Sequence, residues 1–230
     1  IVRYFRQMKS HFLVYLMLMS AAVLFSDGIW NLEHRDEIVS VYARDVSYCR
    51  YREYRSVTDV PINIEKVFDV FTDFHGYHRW FGFCKDSYTV KDHSQTKKTV
   101  FLLIDTPWPL IDKYLLPDVS LDFSFEDGNA GITFELTDDR YNIEPGKYEP
   151  VVNVRGNCLL QQLYNGATRV TFTCSMDPGG NIPVVFIEQF QLDQMIKTAA
   201  NLHSHLKLLF DFCPTVPESH CLVKNRPSRR

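Results

Sequence analysis

The sequence predicts an α+β fold in which a curved antiparallel β-sheet grips one long C-terminal α-helix. Three observations carry this. Between Cys84 and Met176, apolar and polar residues alternate in run after run, the period of strands with one buried face. Asp177-Pro178-Gly179-Gly180, followed by Pro183, interrupts that period. Beyond it the spacing becomes 3.6 and continues to about Phe210. Leu192, Ile196, Ala199, Leu202, Leu206 and Leu209 form one stripe, with Asp193, Lys197, His203 and Lys207 mostly off it. Strands first and a long one-sided helix last require the helix to lie on the sheet.

Taken in order, Ile38 to Arg44 alternates and is rich in β-formers, and Tyr48 to Val60 reads as a longer strand with a charged outer face. Pro61 ends it. Asn63 is placed to cap a helix whose apolar face is Ile64, Val67, Phe68 and Phe71. His75-Gly76-Tyr77 stops that helix, and Trp80 anchors the turn back. Cys84 to Val90 and Thr99 to Thr106 are the next strands, the second leading into Pro107-Trp108-Pro109-Leu110. Val119, Leu121, Phe123 and Phe125 then alternate against Asp118, Ser120, Asp122 and Ser124, and Asp127-Gly128 turns the chain towards Ile132, Phe134 and Leu136. The polar stretch from Asp138 to Pro150 is a long loop of the kind that covers a site. Val152 to Tyr164 and Thr168 to Met176 make the last hairpin, after which Gly179-Gly180 supplies the positive φ where strand meets helix.

Nothing breaks the region from Trp30 to Phe210, so residues 29–212 read as one domain, with a basic tail over 213–230. Met8-Lys9 followed by the apolar run Phe12 to Phe25 reads as an export signal, with Ser26-Asp27-Gly28 offering small residues for cleavage before Ile29. This predicts a periplasmic or secreted protein. A membrane anchor over 12–25 and a buried N-terminal helix are the other readings, although the run is short for a span.

A net charge of −3 gives no general attraction to nucleic acid. The 17 Phe and 12 Tyr fit either a filled core or an aromatic-lined pocket. The six cysteines contain no Cys-x-x-Cys pair, which leaves zinc and thioredoxin-like readings without support, while an even count permits disulfides in an exported protein. Cys213 and Cys221 flank a loop they could close. Cys158 and Cys174 fall opposite one another if the hairpin loop is Asn165-Gly166-Ala167, and on opposite faces if the turn is Asn165-Gly166 alone. His75 with His78, and His203 with His205, lack the Cys or carboxylate partners of a metal site. No nucleophile elbow, Walker or dinucleotide pattern is present, and Asp138-Asp139 reads as solvated.

Several segments together resemble one family. They are Trp30-Asn31-Leu32, Val41 to Asp45, the charged strand Tyr51-Arg52-Glu53-Tyr54-Arg55, Asp105 to Leu110 with its Pro-Trp-Pro, Arg155-Gly156, Thr168 to Phe172, and Asp177 to Pro183. In order and spacing the chain, from Trp30 to about Leu208, is similar to the START family of lipid-transfer domains related to the steroidogenic acute regulatory protein, and to its exported bacterial-type members. It departs at Ile111-Asp112-Lys113-Tyr114, where a Ser, an Asp or Asn, an Arg and an acid are usual, and at Asn157-Cys158, where Trp is common.

The resemblance implies a helix-grip fold with a cavity between sheet and last helix for a lipid or sterol-like molecule. It implies a monomeric carrier that needs no cofactor and touches membranes transiently. Asp105, Asp112 and Arg155 are the polar residues to test for head-group contact, although alternation from Val152 and Val154 points Arg155 away from the cavity. Trp108 either lines the cavity or wedges its turn. Phe123, Phe125, Phe134 and Met176 face inward if the sheet curls, and Phe186, Phe190 and Met195 face ligand or core. Ala199 is taken as cavity-facing, so a tryptophan there is expected to block uptake. The alternatives are an enzyme on the same fold, a cyclase or hydrolase using Asp105 with Arg155 or Tyr114, and an interaction module whose cavity is filled by its own side chains.

Overall fold

A strand that alternation does not predict, β1 (Asn31–Arg35), precedes and pairs with the expected one, β2 (Ser40–Arg44). They belong to a computed structural model that describes residues 28–108, 110–137, 141 and 147–210. The leader, Pro109, Asp138-Asp139, Pro145-Gly146, Cys213, Cys221 and the basic tail lie outside the described residues. The next strand, β3 (Glu53–Val60), starts five residues later than expected. Tyr48 sits in a turn instead, and its hydroxyl donates to Glu53 Oε1 at 2.6 Å, folding the approach back onto the strand.

Helix α1 (Ile64–Thr72) begins as its cap predicts: Asn63 Oδ1 accepts from the Lys66 N–H at 3.1 Å, and Ile64, Val67, Phe68 and Phe71 are buried. A 3-10 turn over Tyr77–Arg79 follows, with Trp80 buried just beyond it. Then come β4 (Cys84–Asp92), β5 (Lys97–Ile104), the short β6 (Lys113–Leu115), β7 (Pro117–Ser124), β8 (Asn129–Leu136), β9 (Glu149–Pro150), β10 (Asn153–Gln162) and β11 (Thr168–Asp177), and finally α2 (Val184–Phe210). Phe125 leaves the strand pattern for a 3-10 turn over Phe125–Asp127, closed by Gly128 at φ +67°. At the sheet-to-helix junction Gly179 and Gly180 take φ of +74° and +75°, as expected of glycine there.

Among the described residues, the strands form a single curved, unclosed sheet in the order β1-β2-β3-β11-β10-β8-β7-β5-β6-β9, with β4 paired to β5. All pairs are antiparallel except β6 with β9. The last hairpin takes neither expected register. Leu163 pairs with Ala167 around Tyr164-Asn165-Gly166, so Cys158 stands opposite Phe172 and Cys174 opposite Gly156. The two cysteines lie on one face, diagonal to each other, and both are free thiols.

Helix α2 is held in three places. Met195 and Ala199 pack on Val39, Val41, Ala43 and Tyr54 of the β2–β3 region. Leu202 and Leu206 join the main core beside α1. Polar clasps complete the grip: the Tyr54 hydroxyl donates to Glu188 O at 3.1 Å, and Arg52 lies 3.2 Å from the Glu188 carboxylate. The buried stripe also contains Gln191 and Thr198, and Leu209 is exposed, which differs from the expected stripe. Both polar residues are inside because the backbone needs them. Gln191 Nε2 donates to Met176 O at 2.7 Å, and Thr198 Oγ1 accepts from the Gly82 N–H at 2.9 Å.

Candidate functional site: two apolar chambers beneath the last helix

Rings from several elements converge under α2. Trp80 lies 4.8 Å from Phe71 and 4.9 Å from Tyr77, Phe81 lies 5.9 Å from Phe172, and Phe172 stacks on Phe134 at 5.7 Å. They enclose an inner chamber of about 80 Å³, completed by aliphatic side chains of β5, β8 and β10, by Cys158 and Cys174, and by Gln194 of α2. At roughly 30 Å³ per liquid water, this holds two or three waters and no acyl chain.

The chamber has no ionised lining residue among the described ones. The Tyr77 hydroxyl donates to Phe71 O at 2.6 Å, and its burial pushes its pKa far up. Burial likewise raises the Cys158 thiol and lifts Cys174 to about 12, so both are neutral in the folded protein.

A larger outer chamber of about 380 Å³ lies between the turn after β5 and the start of α2. That volume falls within the roughly 300–1,000 Å³ of small-molecule sites. Ile104 and Met176 border both chambers, and the wall they form between the two is the neck. The turn is stapled internally. Thr106 N–H donates to Asp112 Oδ1 at 3.2 Å, Thr106 Oγ1 donates to Ile111 O at 2.8 Å, and Leu110 N–H donates to Pro107 O at 3.1 Å. At its rim Trp108 is 92% and Phe186 70% exposed. Lys113 borders this chamber too, but it is buried and its ammonium is 2.5 Å from Glu149.

The expected site residues separate into groups. Phe134 lines the inner chamber, Met176 the neck, and Trp108, Phe186 and Phe190 the outer chamber. Trp108 thus lines the cavity rather than wedging its turn into the core. Asp105 and Asp112 do not reach a head group inside. Both bind Lys85, at 2.8 and 2.7 Å, on the outside of the turn, and these bonds raise the lysine's pKa. Arg155 is on the opposite face of the sheet, its guanidinium 4.5 Å over Tyr48, because its neighbour Val154 takes the inward position. Phe123 and Phe125 pack on Phe68 of α1, at 5.2 and 5.4 Å, and line neither chamber. Met195 and Ala199 face the β2–β3 sheet surface, so Ala199 is not a chamber residue.

Of the groups considered for catalysis, Asp105 is tied to Lys85, Arg155 is across the sheet and Tyr114 stacks on Phe101 at 5.9 Å, and none of the three lines either chamber. Among the described residues no group of three or more His, Cys, Asp or Glu is arranged to hold a metal ion. Trp80, Gln194, Cys158 and the neck residue Ile104 are among the lining residues that the sequence did not mark as site residues. Alternation along β10 pointed to Cys158 together with Val154, and the isolated Trp80 at a turn was the visible sign of a wedge.

The profile of the family described as "Polyketide cyclase / dehydrase and lipid transport" matches residues 60–200. An uncharacterized protein of Pseudomonas aeruginosa is 27% identical over 175 residues, 76% of this chain and 85% of that one. Among solved structures, a STAR-related lipid transfer protein fragment from Xanthomonas axonopodis superposes with a TM-score of 0.70 at 23% identity, over 77% of this chain and 98% of its own. Human StAR-related lipid transfer protein 5 gives 0.73 at 16% identity, over 88% and 98%. Zhui aromatase/cyclase from Streptomyces sp. R1128 gives 0.50 at 13% identity, over 68% and 95%. At these identities the superpositions establish the fold, the START helix-grip.

Proposed function

The chain belongs to the polyketide cyclase/dehydrase and lipid transport family, and from that premise we propose that it binds and carries a hydrophobic molecule, lipid or sterol-like, in the chambers beneath α2. One observation supports this above all. Two apolar chambers meet at a neck of Ile104 and Met176, and the outer one reaches the surface between exposed aromatic side chains. Each methylene withdrawn from water contributes about 0.8 kcal/mol, so an apolar tail gains several kcal/mol by entering.

The ligand enters the outer chamber first. Reaching the inner one requires the neck and the aromatic rings to shift, and the unbranched Met176 side chain is suited to that. Trp108 and Phe186 at the rim, with exposed Ile111 and Val185 close by in sequence, are a surface that touches a bilayer during loading. The setting in this reading is outside the cytoplasm, as the apolar run Phe12 to Phe25 suggests; N-terminal sequencing of the exported protein tests it, and a mature chain retaining that run contradicts it.

The carrier reading is favoured over the cyclase because neither pairing the sequence offered, Asp105 with Arg155 or with Tyr114, places its groups in the chambers: Asp105 binds Lys85, Arg155 is across the sheet, and Tyr114 stacks on Phe101. The test is purification without detergent, organic extraction and mass spectrometry. A small apolar molecule near one equivalent supports the carrier. A protein that neither releases such a molecule nor takes up labelled lipid from vesicles contradicts it.

A further inference from the structure

Trp80, which lines the inner chamber, carries a polar group that no described residue uses and that stays covered until the surrounding rings shift. Trp80 is 1% exposed and its ring is fixed between Phe71 and Tyr77, yet its Nε1 is buried with no hydrogen-bond partner among the described residues. Leaving such a donor unpaired destabilises the fold, because its desolvation is not offset by a hydrogen bond. A phenylalanine in the same place would supply an aromatic ring without that cost. The chamber's other N–H and O–H side-chain donors are engaged: the Tyr77 hydroxyl donates to Phe71 O, and Gln194 Nε2 donates to Gly82 O at 3.2 Å, which leaves only weak thiol donors beside Trp80. No lining residue among those described is ionised, so a phosphate or ammonium group would be buried there without a counter-charge.

Resting on the carrier reading, we infer that the bound molecule is uncharged at its inner end and presents one oxygen acceptor, a carbonyl, ester or hydroxyl, to the Trp80 N–H. Trp80 is then a specificity-determining residue. It discriminates an oxygenated apolar molecule from a hydrocarbon of the same shape, because only the former pairs the orphan donor.

The test uses two matched flat probes, 2-acetylnaphthalene and 2-ethylnaphthalene, with the wild-type protein and Trp80→Phe. The substitution should weaken the ketone by roughly five- to tenfold, the worth of one neutral hydrogen bond, and leave the hydrocarbon within about twofold. In wild-type protein labelled with ¹⁵N-tryptophan, the Trp80 indole N–H resonance should move downfield with the ketone and not with the hydrocarbon. That measurement needs no substitution and decides the matter even if Trp80→Phe fails to fold. Equal weakening of both probes by Trp80→Phe, or an unmoved indole resonance with the ketone bound in the chamber, overturns the inference and leaves the carrier reading standing. Binding of neither probe overturns both.

Discussion

Arg155 and Ala199 show what a single residue's position decides. Arg155 follows from alternation alone: its neighbour Val154 is buried, so the guanidinium is on the far face, where it lies over Tyr48. Ala199 does not follow from its stripe, because a helix pressed between a sheet and a chamber buries more than one line of residues. Its methyl packs with Val41 and Tyr54. Ala199→Trp therefore disrupts the helix–sheet contact rather than plugging the cavity, and overpacking there is expected to cost about 1–3 kcal/mol of stability in a urea titration. The residue that closes the path is at the neck. Met176→Trp is expected to weaken ligand retention by roughly an order of magnitude while the folded protein keeps its circular dichroism, since it bulks up the wall between the two chambers that must move for loading. Unchanged retention in a stopped-flow release assay would place the path elsewhere. The cysteines were ambiguous for a reason of the same scale. A one-residue change in the hairpin loop changes their facing, and only the Leu163–Ala167 pairing fixes it.

At the scale of elements, α1 and its cap, the β7–β8 and β10–β11 hairpins and α2 were all legible, because each is a continuous period with a turn or cap at its end. β6 and β9 were not, being three and two residues long. The contacts that fix α2 were also hidden, since they join a polar side chain to backbone far away in sequence. Gly82 is the sharpest case: a Cβ there would lie 2.8 Å from Gln194 O and 2.9 Å from Thr198 Oγ1. The following residue, Phe83, takes φ +60° and stacks on Phe190 at 4.9 Å, so this turn latches the front half of α2. Gly82→Ala should push the turn off the helix and destabilise the protein by about 1–3 kcal/mol in urea titration, with faster ligand release; wild-type stability would show that the latch is slack.

The rear half of α2 carries a pH dependence. Thr58 donates its one hydroxyl proton to Ile38 O at 2.6 Å, so the 2.8 Å contact with His203 Nε2 has the imidazole as donor. Burial lowers the His203 pKa, with the distant carboxylates of Asp36 and Asp59 opposing, and burial lowers that of His205 too. A folded pKa below the unfolded value of about 6.5 means that the unfolded chain binds more protons in that window. Stability is then complete above about pH 6.5 and declines as pH falls through the lower folded values. His203→Gln should flatten part of the fall in melting temperature between about pH 7 and pH 5, the remainder belonging to His205. An identical pH profile in the variant would contradict this.

The whole molecule depends on a sheet that curls without closing, and on a helix that lies along its open side. The family resemblance made that curvature legible; alternation alone does not encode it. Nor does the sequence reveal that the hollow is divided, with its inner part almost filled by phenylalanine and tryptophan rings. That filling is why, in the proposed carrier, loading requires motion at the neck. In the proposed carrier the rim supplies the contact with a donor bilayer. Replacing Trp108 and Phe186 together by alanine should reduce co-sedimentation with phosphatidylcholine vesicles several-fold without altering thermal stability, because both side chains are exposed.

The most direct measurement is photo-crosslinking of a diazirine-bearing fatty alcohol, followed by peptide mass spectrometry. The chambers predict adducts on β5 near Ile104, on β11 near Met176 and on the first turns of α2 near Phe190. Adducts confined to outward-facing positions such as Leu159 and Leu208, with none on those three segments, would contradict a ligand sheltered beneath the helix.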